Sequence, residues 1–173
     1  MEEGVARGAV DGSIAQEVGG SSTGGKCFVY RNEGYSGADT ASICFSVVTD
    51  GAWRVETKMG AAAWVWDAGG SPGLESQVKV MPACSPTVLE AYAGVLALNW
   101  ASEQNYQEVV IHTDCLLFVS GLCDVVKAPI SIKYVLLDFL CLCSKFRLVK
   151  VVKVSRLTVQ AAHVVARQAL ANV

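Results

Sequence analysis

Histidine is scarce in this chain of 173 residues, where only His112 and His163 occur, and the seven cysteines form no CxxC pair. Structural zinc needs clustered Cys and His ligands, so that class is excluded, and an odd set of scattered cysteines reads as reduced, mostly buried thiols. Long apolar runs are also missing. The best candidate, Val135 to Cys143, is broken by Asp138 and falls far short of the ~18 residues that span a bilayer. The opening "MEEGVARGAV" is acidic and has no apolar stretch of the secretory kind, so the expectation is an intracellular protein of the nucleus or cytoplasm, not a secreted one. Charged residues make up only 17%, whereas hydrophobic ones reach 52%. That balance excludes wholesale disorder and supplies the core of one domain.

The formal net charge is −2, too small for a protein that coats nucleic acid, but it averages two unlike halves. Residues 1–124 carry six Lys/Arg against fifteen Asp/Glu, and residues 125–173 carry eight Lys/Arg against Asp138 alone. The basic C-terminal third suits either a phosphate-facing surface or a solvated one. Residues 1–41 are rich in Gly and Ser, and nine of the sixteen glycines lie within residues 1–40. This composition predicts a flexible N-terminal tail, with a short extended piece at Cys27–Tyr30 and the domain proper over 42–173. Within the tail, "GSSTGGKC" (20–27) matches a phosphate loop except at its last position, where Cys27 replaces the hydroxyl. It lacks the preceding strand and following helix that such a loop needs, and is rejected.

From Ile43 the pattern becomes regular. "ICFSVVTD" (43–50), "GAAAWVWDA" (60–68) and "ESQVKVM" (75–81) read as three strands of an antiparallel meander, the first ending at Asp50 with a turn on Gly51. Ser85-Pro86 opens a helix to about Ser102, with apolar residues at a period near 3.6. "EVVIHTD" is a buried strand ending in Asp114. Helices over 115–124 and 130–146, a strand over 147–154 and a helix over 158–171 complete the order β-β-β-α-β-α-α-β-α. A meander leading into crossovers implies an α/β fold with a mixed five-stranded sheet and helices on both faces.

Asp50 and Asp114 close two strands, and ligands of open α/β sheets bind beyond strand ends. Glu90 lies one turn into the first long helix, beside Ala93, Gly94 and Ala97, small residues that would let the helix approach the sheet. Three converging carboxylates repel one another, and magnesium, which prefers oxygen ligands, relieves that repulsion. Asp50 in "TDGAW", Glu90 in "SPTVLEAYAGVLAL", Asp114 in "VVIHTD" and the terminal "SRLTVQAAHVVARQAL" together resemble the ribonuclease H type-1 superfamily. The likeness is nearest to the retroelement-related RNase H-like domains of plants and covers about residues 42–171. It implies cleavage of the RNA strand of RNA–DNA hybrids with two Mg²⁺ ions (Mn²⁺ as a substitute), held by Asp50, Glu90 and Asp114. It also implies a nucleic-acid face comprising Gly51, Lys150, Lys153, Arg156 and Gln160.

The chain departs from the family pattern at the fourth acidic ligand, where His163 stands in the last helix. Imidazole suits manganese or a transition metal better than magnesium, or it can shuttle a proton, or simply pack on the sheet. His112, two residues before Asp114, reads as a packed histidine or a neighbour of the site. Pro86 and Thr87 replace substrate-contacting amides, and no basic tryptophan-rich handle follows Asp114. Trp53, Trp64 and Trp66 alternate with core positions and read as structural. Three functions follow: a metal-dependent hybrid ribonuclease; a nucleic-acid-binding relative with weakened or lost catalysis; or a protein-interaction module, favoured if helix 130–146 leaves an apolar patch exposed.

Overall fold

The structure, a computed structural model, describes residues 25–36, 43–67 and 72–173. The tail expectation for residues 1–24 and 37–41 lies outside the described residues. In chain order the elements are β1 (Cys27–Arg31), β2 (Cys44–Arg54), β3 (Met59–Asp67), β4 (Pro72–Pro82), α1 (Pro86–Glu103), β5 (Glu108–Thr113), α2 (Leu116–Cys123), α3 (Ile130–Cys143), β6 (Leu148–Lys153) and α4 (Gln160–Ala171). The strands form one mixed sheet in the order β1-β6-β5-β2-β3-β4.

The sheet has six strands where five were expected. The sixth is β1, drawn from the stretch assigned to the tail, and it pairs antiparallel with β6 from Cys27↔Val152 to Arg31↔Leu148. Phe28 and Tyr30 of β1 are buried in the main core, so this edge strand contributes packing as well as pairing. A second difference concerns Asp50-Gly51, which make no turn. Pairing of β2 with β3 runs on through Asp50↔Ala63 and Gly51↔Ala62 to Arg54↔Met59, and the reversal comes at residues 55–58, where Lys58 takes φ 56°. Only the parallel pairing of β2 with β5 stops early, at Thr49↔Thr113. Asp50 and Asp114 therefore each follow one member of the last paired rung between two parallel strands.

Helices α1, α2 and α3 lie on one face of the sheet, and α4 packs on the other against β2, β3 and β4. Helix α1 opens on Pro86 behind an extended Ser85, whose side chain makes no capping hydrogen bond. It buries nine residues between the sheet and α3, including Leu89, Leu96 and Leu98. Gly94 does not serve the sheet contact expected of it. A Cβ there would meet the rings of Phe118 and Phe139 at 2.9 and 3.1 Å, so the gap accommodates aromatic side chains of α2 and α3. Trp64 is fully buried against Phe45 and Trp100, with ring centroids 5.5 and 5.0 Å away, which bears out its structural reading. No described helix is long and apolar enough to cross a membrane.

Candidate metal centre

The end of the β2–β5 pairing places two carboxylates side by side, and α1 brings a third. One ligand oxygen each from Asp50, Glu90 and Asp114 lies within 4.8 Å of the others. The approach of α1 depends on glycine. A Cβ on Gly51 would lie 2.8 Å from Leu89 Cβ and 3.0 Å from the Glu90 nitrogen, and one on Gly60 would meet Leu89 Cδ1 at 2.1 Å. The 2.8 and 2.1 Å separations are too short for real atoms, so these two glycines let the first turn of α1 settle on the sheet.

The cluster is desolvated. Asp50 is fully buried, and burial pushes its carboxyl above the ordinary range, opposed by hydrogen bonds from the Gly51 backbone and His163. Glu90 is likewise pushed up, first by burial and then by the negative charges of Asp50 and Asp114, against a hydrogen bond from the Cys115 thiol. That thiol is itself pushed far up by burial and by Glu90, which keeps it neutral and able to donate. Cys115 also caps α2, accepting from the Phe118 backbone N–H at 3.4 Å.

Two basic side chains close the cluster on its open side. His163, on the fourth position of α4, places Nδ1 2.6 Å from Asp50 Oδ2. Arg156 Nη1 donates to Asp114 Oδ2 at 3.2 Å, and its Nη2 lies 3.4 Å from His163 Nδ1. A proton on Nδ1 aimed at Asp50 leaves that nitrogen nothing to accept from Arg156, so the last approach is a packing contact. The second oxygens, Asp50 Oδ1 and Asp114 Oδ1, are buried without a hydrogen-bond partner. Such atoms are costly unless something else satisfies them, and hard oxygen donors fit a divalent cation such as magnesium or manganese.

A cleft of ≈ 600 Å³ opens beside these residues, lined by Gly51, Trp53, Arg54, Pro86, Glu90, Arg156, His163 and Arg167 among others. Of the positions the sequence singled out, Asp50, Glu90, Asp114, His163, Gly51 and Arg156 thus come together. Lys150, Lys153 and Gln160 do not line the cleft. Lys150 is exposed on β6, Lys153 donates to the Val154 carbonyl at 3.0 Å, and Gln160 is exposed at the start of α4. Arg54 and Arg167 were missed. Arg167 stands one helical turn after His163, and that i, i+4 spacing was the available signal. His112 faces Asp67, with Nδ1 3.9 Å from Oδ2, and its Nδ1 is buried without a hydrogen-bond partner.

Residues 48–169 match the family model described as reverse transcriptase-like, and the chain belongs to that family, within the ribonuclease H-type superfamily. The fold is shared with RNase H1 from the halophilic archaeon Halobacterium salinarum, at 19% identity and a TM-score of 0.68, over 76% of this chain and all of that one. It is shared also with the N-terminal RNase H domain of a Mycobacterium tuberculosis protein, at 20% identity and a TM-score of 0.63, over 73% of this chain and 98% of that one. A third match is LC11-RNase H1, isolated from compost and solved in complex with an RNA/DNA hybrid, at 16% identity and a TM-score of 0.62, over 72% and 94%. No curated protein sequence matches significantly.

Proposed function

We propose that this protein is a metal-dependent endoribonuclease that cleaves the RNA strand of RNA–DNA hybrids, with Asp50, Glu90 and Asp114 as its metal ligands. The observation that carries the reading is the meeting of three ligand oxygens within 4.8 Å beside a cleft that Glu90, Arg54, Arg156 and Arg167 line. Two Mg²⁺ ions held there would supply the activation of a water and the stabilisation of the leaving oxygen. The chain's own residues do the rest. Arg54, Arg156 and Arg167 attract the phosphate backbone, and their guanidinium groups suit bidentate phosphate contacts. His163 holds Asp50 in one orientation through Nδ1, which leaves Nε2 as its remaining ring nitrogen for a proton at the cleft. The Cys115 thiol does the same for Glu90. Discrimination of RNA from DNA rests on 2′-hydroxyls read across the shallow groove of the hybrid.

One observation favours a second reading, a nucleic-acid-binding domain with weakened catalysis. Both aspartates already hold a basic partner, His163 at 2.6 Å and Arg156 at 3.2 Å, which lowers the drive to bind metal. Incubation with a labelled RNA–DNA hybrid and with double-stranded RNA, under Mg²⁺ and then Mn²⁺, separates the two. Metal-dependent cutting of the hybrid's RNA strand supports the nuclease. Binding without cutting under either ion supports the second reading.

A further inference from the structure

Helix α3 is apolar on two opposite sides. One stripe, Ile132, Leu136, Phe139 and Cys143, is fully buried against its own domain. The other, Ile130, Tyr134, Leu137 and Cys141, faces solvent, with Ile130 and Tyr134 73% and 74% exposed. Steps of four, three and four residues are the spacing by which one helix seats against another. Six of the twelve exposed large hydrophobic side chains among the described residues lie between Leu116 and Leu137, and three of them, Ile130, Tyr134 and Leu137, are on this stripe. A solvated helix face would carry polar residues at these positions.

We propose that this face binds a second copy of the same chain, α3 against α3, with the two helices parallel. The flanking charges select both the partner and the direction. Lys133 precedes the Tyr134 layer on one edge of the stripe, and Asp138 follows the Leu137 layer on the other. In a parallel pair each edge brings Lys133 of one copy beside Asp138 of the other, twice by symmetry. An antiparallel pair would instead set Lys133 near Lys133 and Asp138 near Asp138. Lys133 Nζ donates to the Val126 carbonyl at 2.8 Å, and the two further N–H groups of the ammonium remain for a carboxylate. The parallel register also sets Cys141 against its own counterpart. The stripe is only roughly 17 Å long, so the dimer is a weak, reversible one.

Sedimentation equilibrium of the full chain from roughly 5 to 500 µM, a range that brackets weak association, should show a concentration-dependent dimer. Leu137→Asp should shift it to monomer with an unchanged circular dichroism spectrum, since Leu137 is 49% exposed. Lys133→Asp and Asp138→Lys should each weaken the dimer, and the two together should restore it. With Cys44, Cys84 and Cys123 replaced by Ser, a short bismaleimide should cross-link two copies through Cys141, and Cys141→Ser should abolish the product. A monomer across the whole range, or a dimer untouched by Leu137→Asp, would overturn the proposal. A dimer that is lost in Leu137→Asp but gives no Cys141 cross-link would overturn the parallel pairing.

Discussion

The backbone at Gly51 lies against Leu89 so closely that a single methyl on Gly51 would sit 2.8 Å from Leu89 Cβ. This contact seats α1 on β2, and Glu90 is the next residue along the helix. Gly51→Ala should therefore act on fold and site together. Displacing α1 costs about 1–3 kcal/mol as an overpacking change, and it moves Glu90 away from Asp50. The expected result is a lower melting temperature and weaker Mn²⁺ binding by titration. An alanine variant that melts and binds metal like the wild type would show that the helix approach does not depend on this glycine.

The raised carboxyls predict a pH dependence. Burial holds Asp50 and Glu90 above their ordinary values, so the folded protein binds these protons more tightly than the unfolded chain. Their contribution to stability is full below the unfolded pKa of about 4 and is lost as pH rises through the folded values. In EDTA the protein should therefore lose stability towards neutral pH, and a divalent cation should restore it. Glu90→Gln removes one of the opposing charges and should stabilise the metal-free protein at pH 7 by on the order of 1 kcal/mol, with the advantage shrinking as pH falls. Melting curves of both proteins across that range decide it. A less stable Glu90→Gln protein at pH 7 would mean that the cluster is not a strained site.

Much of this site could be read from the sequence because its chemistry sits where periodic segments change. Asp114 follows the end of β5, Glu90 lies near the start of α1 and Asp50 follows the last rung of the β2–β5 pairing, and their types alone narrow what they can do. Strand β1 was harder. "CFVYR" is short and set among glycines, and its partner β6 is more than a hundred residues away, so no local pattern announces the pairing. The continuation of β2 past Asp50-Gly51 was hidden for a similar reason. A DG pair signals a turn, whereas here it stays extended within a pairing that runs from Val47↔Trp66 to Arg54↔Met59. The basic residues divide by geometry that sequence does not carry. Lys150 and Lys153 alternate along β6, whereas the cleft forms where α4 crosses β2, which brings in Arg54 and Arg167 instead.

Arg156 competes with any cation for Asp114. The guanidinium donates to Oδ2 at 3.2 Å, and because its side chain is 61% exposed the pair is worth at most about 1 kcal/mol. Arg156→Gln should therefore tighten Mn²⁺ binding to the free protein by about two- to fivefold. The same change should weaken hybrid binding and reduce its salt slope by about one, as expected on removing one phosphate contact. Calorimetric titration with Mn²⁺ and hybrid-binding curves at two salt concentrations measure both effects. Weaker metal binding in Arg156→Gln would instead make the arginine a support of the cluster.

The sharpest test lies at His163. Its Nδ1 sits 2.6 Å from Asp50 Oδ2, so whatever occupies the cluster meets an imidazole on the α4 side. Imidazole tolerates softer ions than a carboxylate-built magnesium site does, so cleavage by the wild type should be better supported by Mn²⁺ than by Mg²⁺. His163→Asp puts a charged oxygen on the same helix and should raise Mg²⁺-supported cleavage. It also adds a fourth carboxylate to a desolvated cluster, so the metal-free variant should melt lower than the wild type at neutral pH. Asp50→Asn should abolish cleavage under either ion, because it removes a charged ligand that α1, β2 and α4 all converge on. Hybrid binding should largely survive that change, since it leaves the cleft arginines Arg54 and Arg167 in place. Cleavage and binding are measured separately at fixed salt for the three proteins. If Asp50→Asn cuts as well as the wild type, the active centre is not this cluster. If all three bind the hybrid and none cuts, the arrangement of His163 and Arg156 over the aspartates belongs to a binding domain.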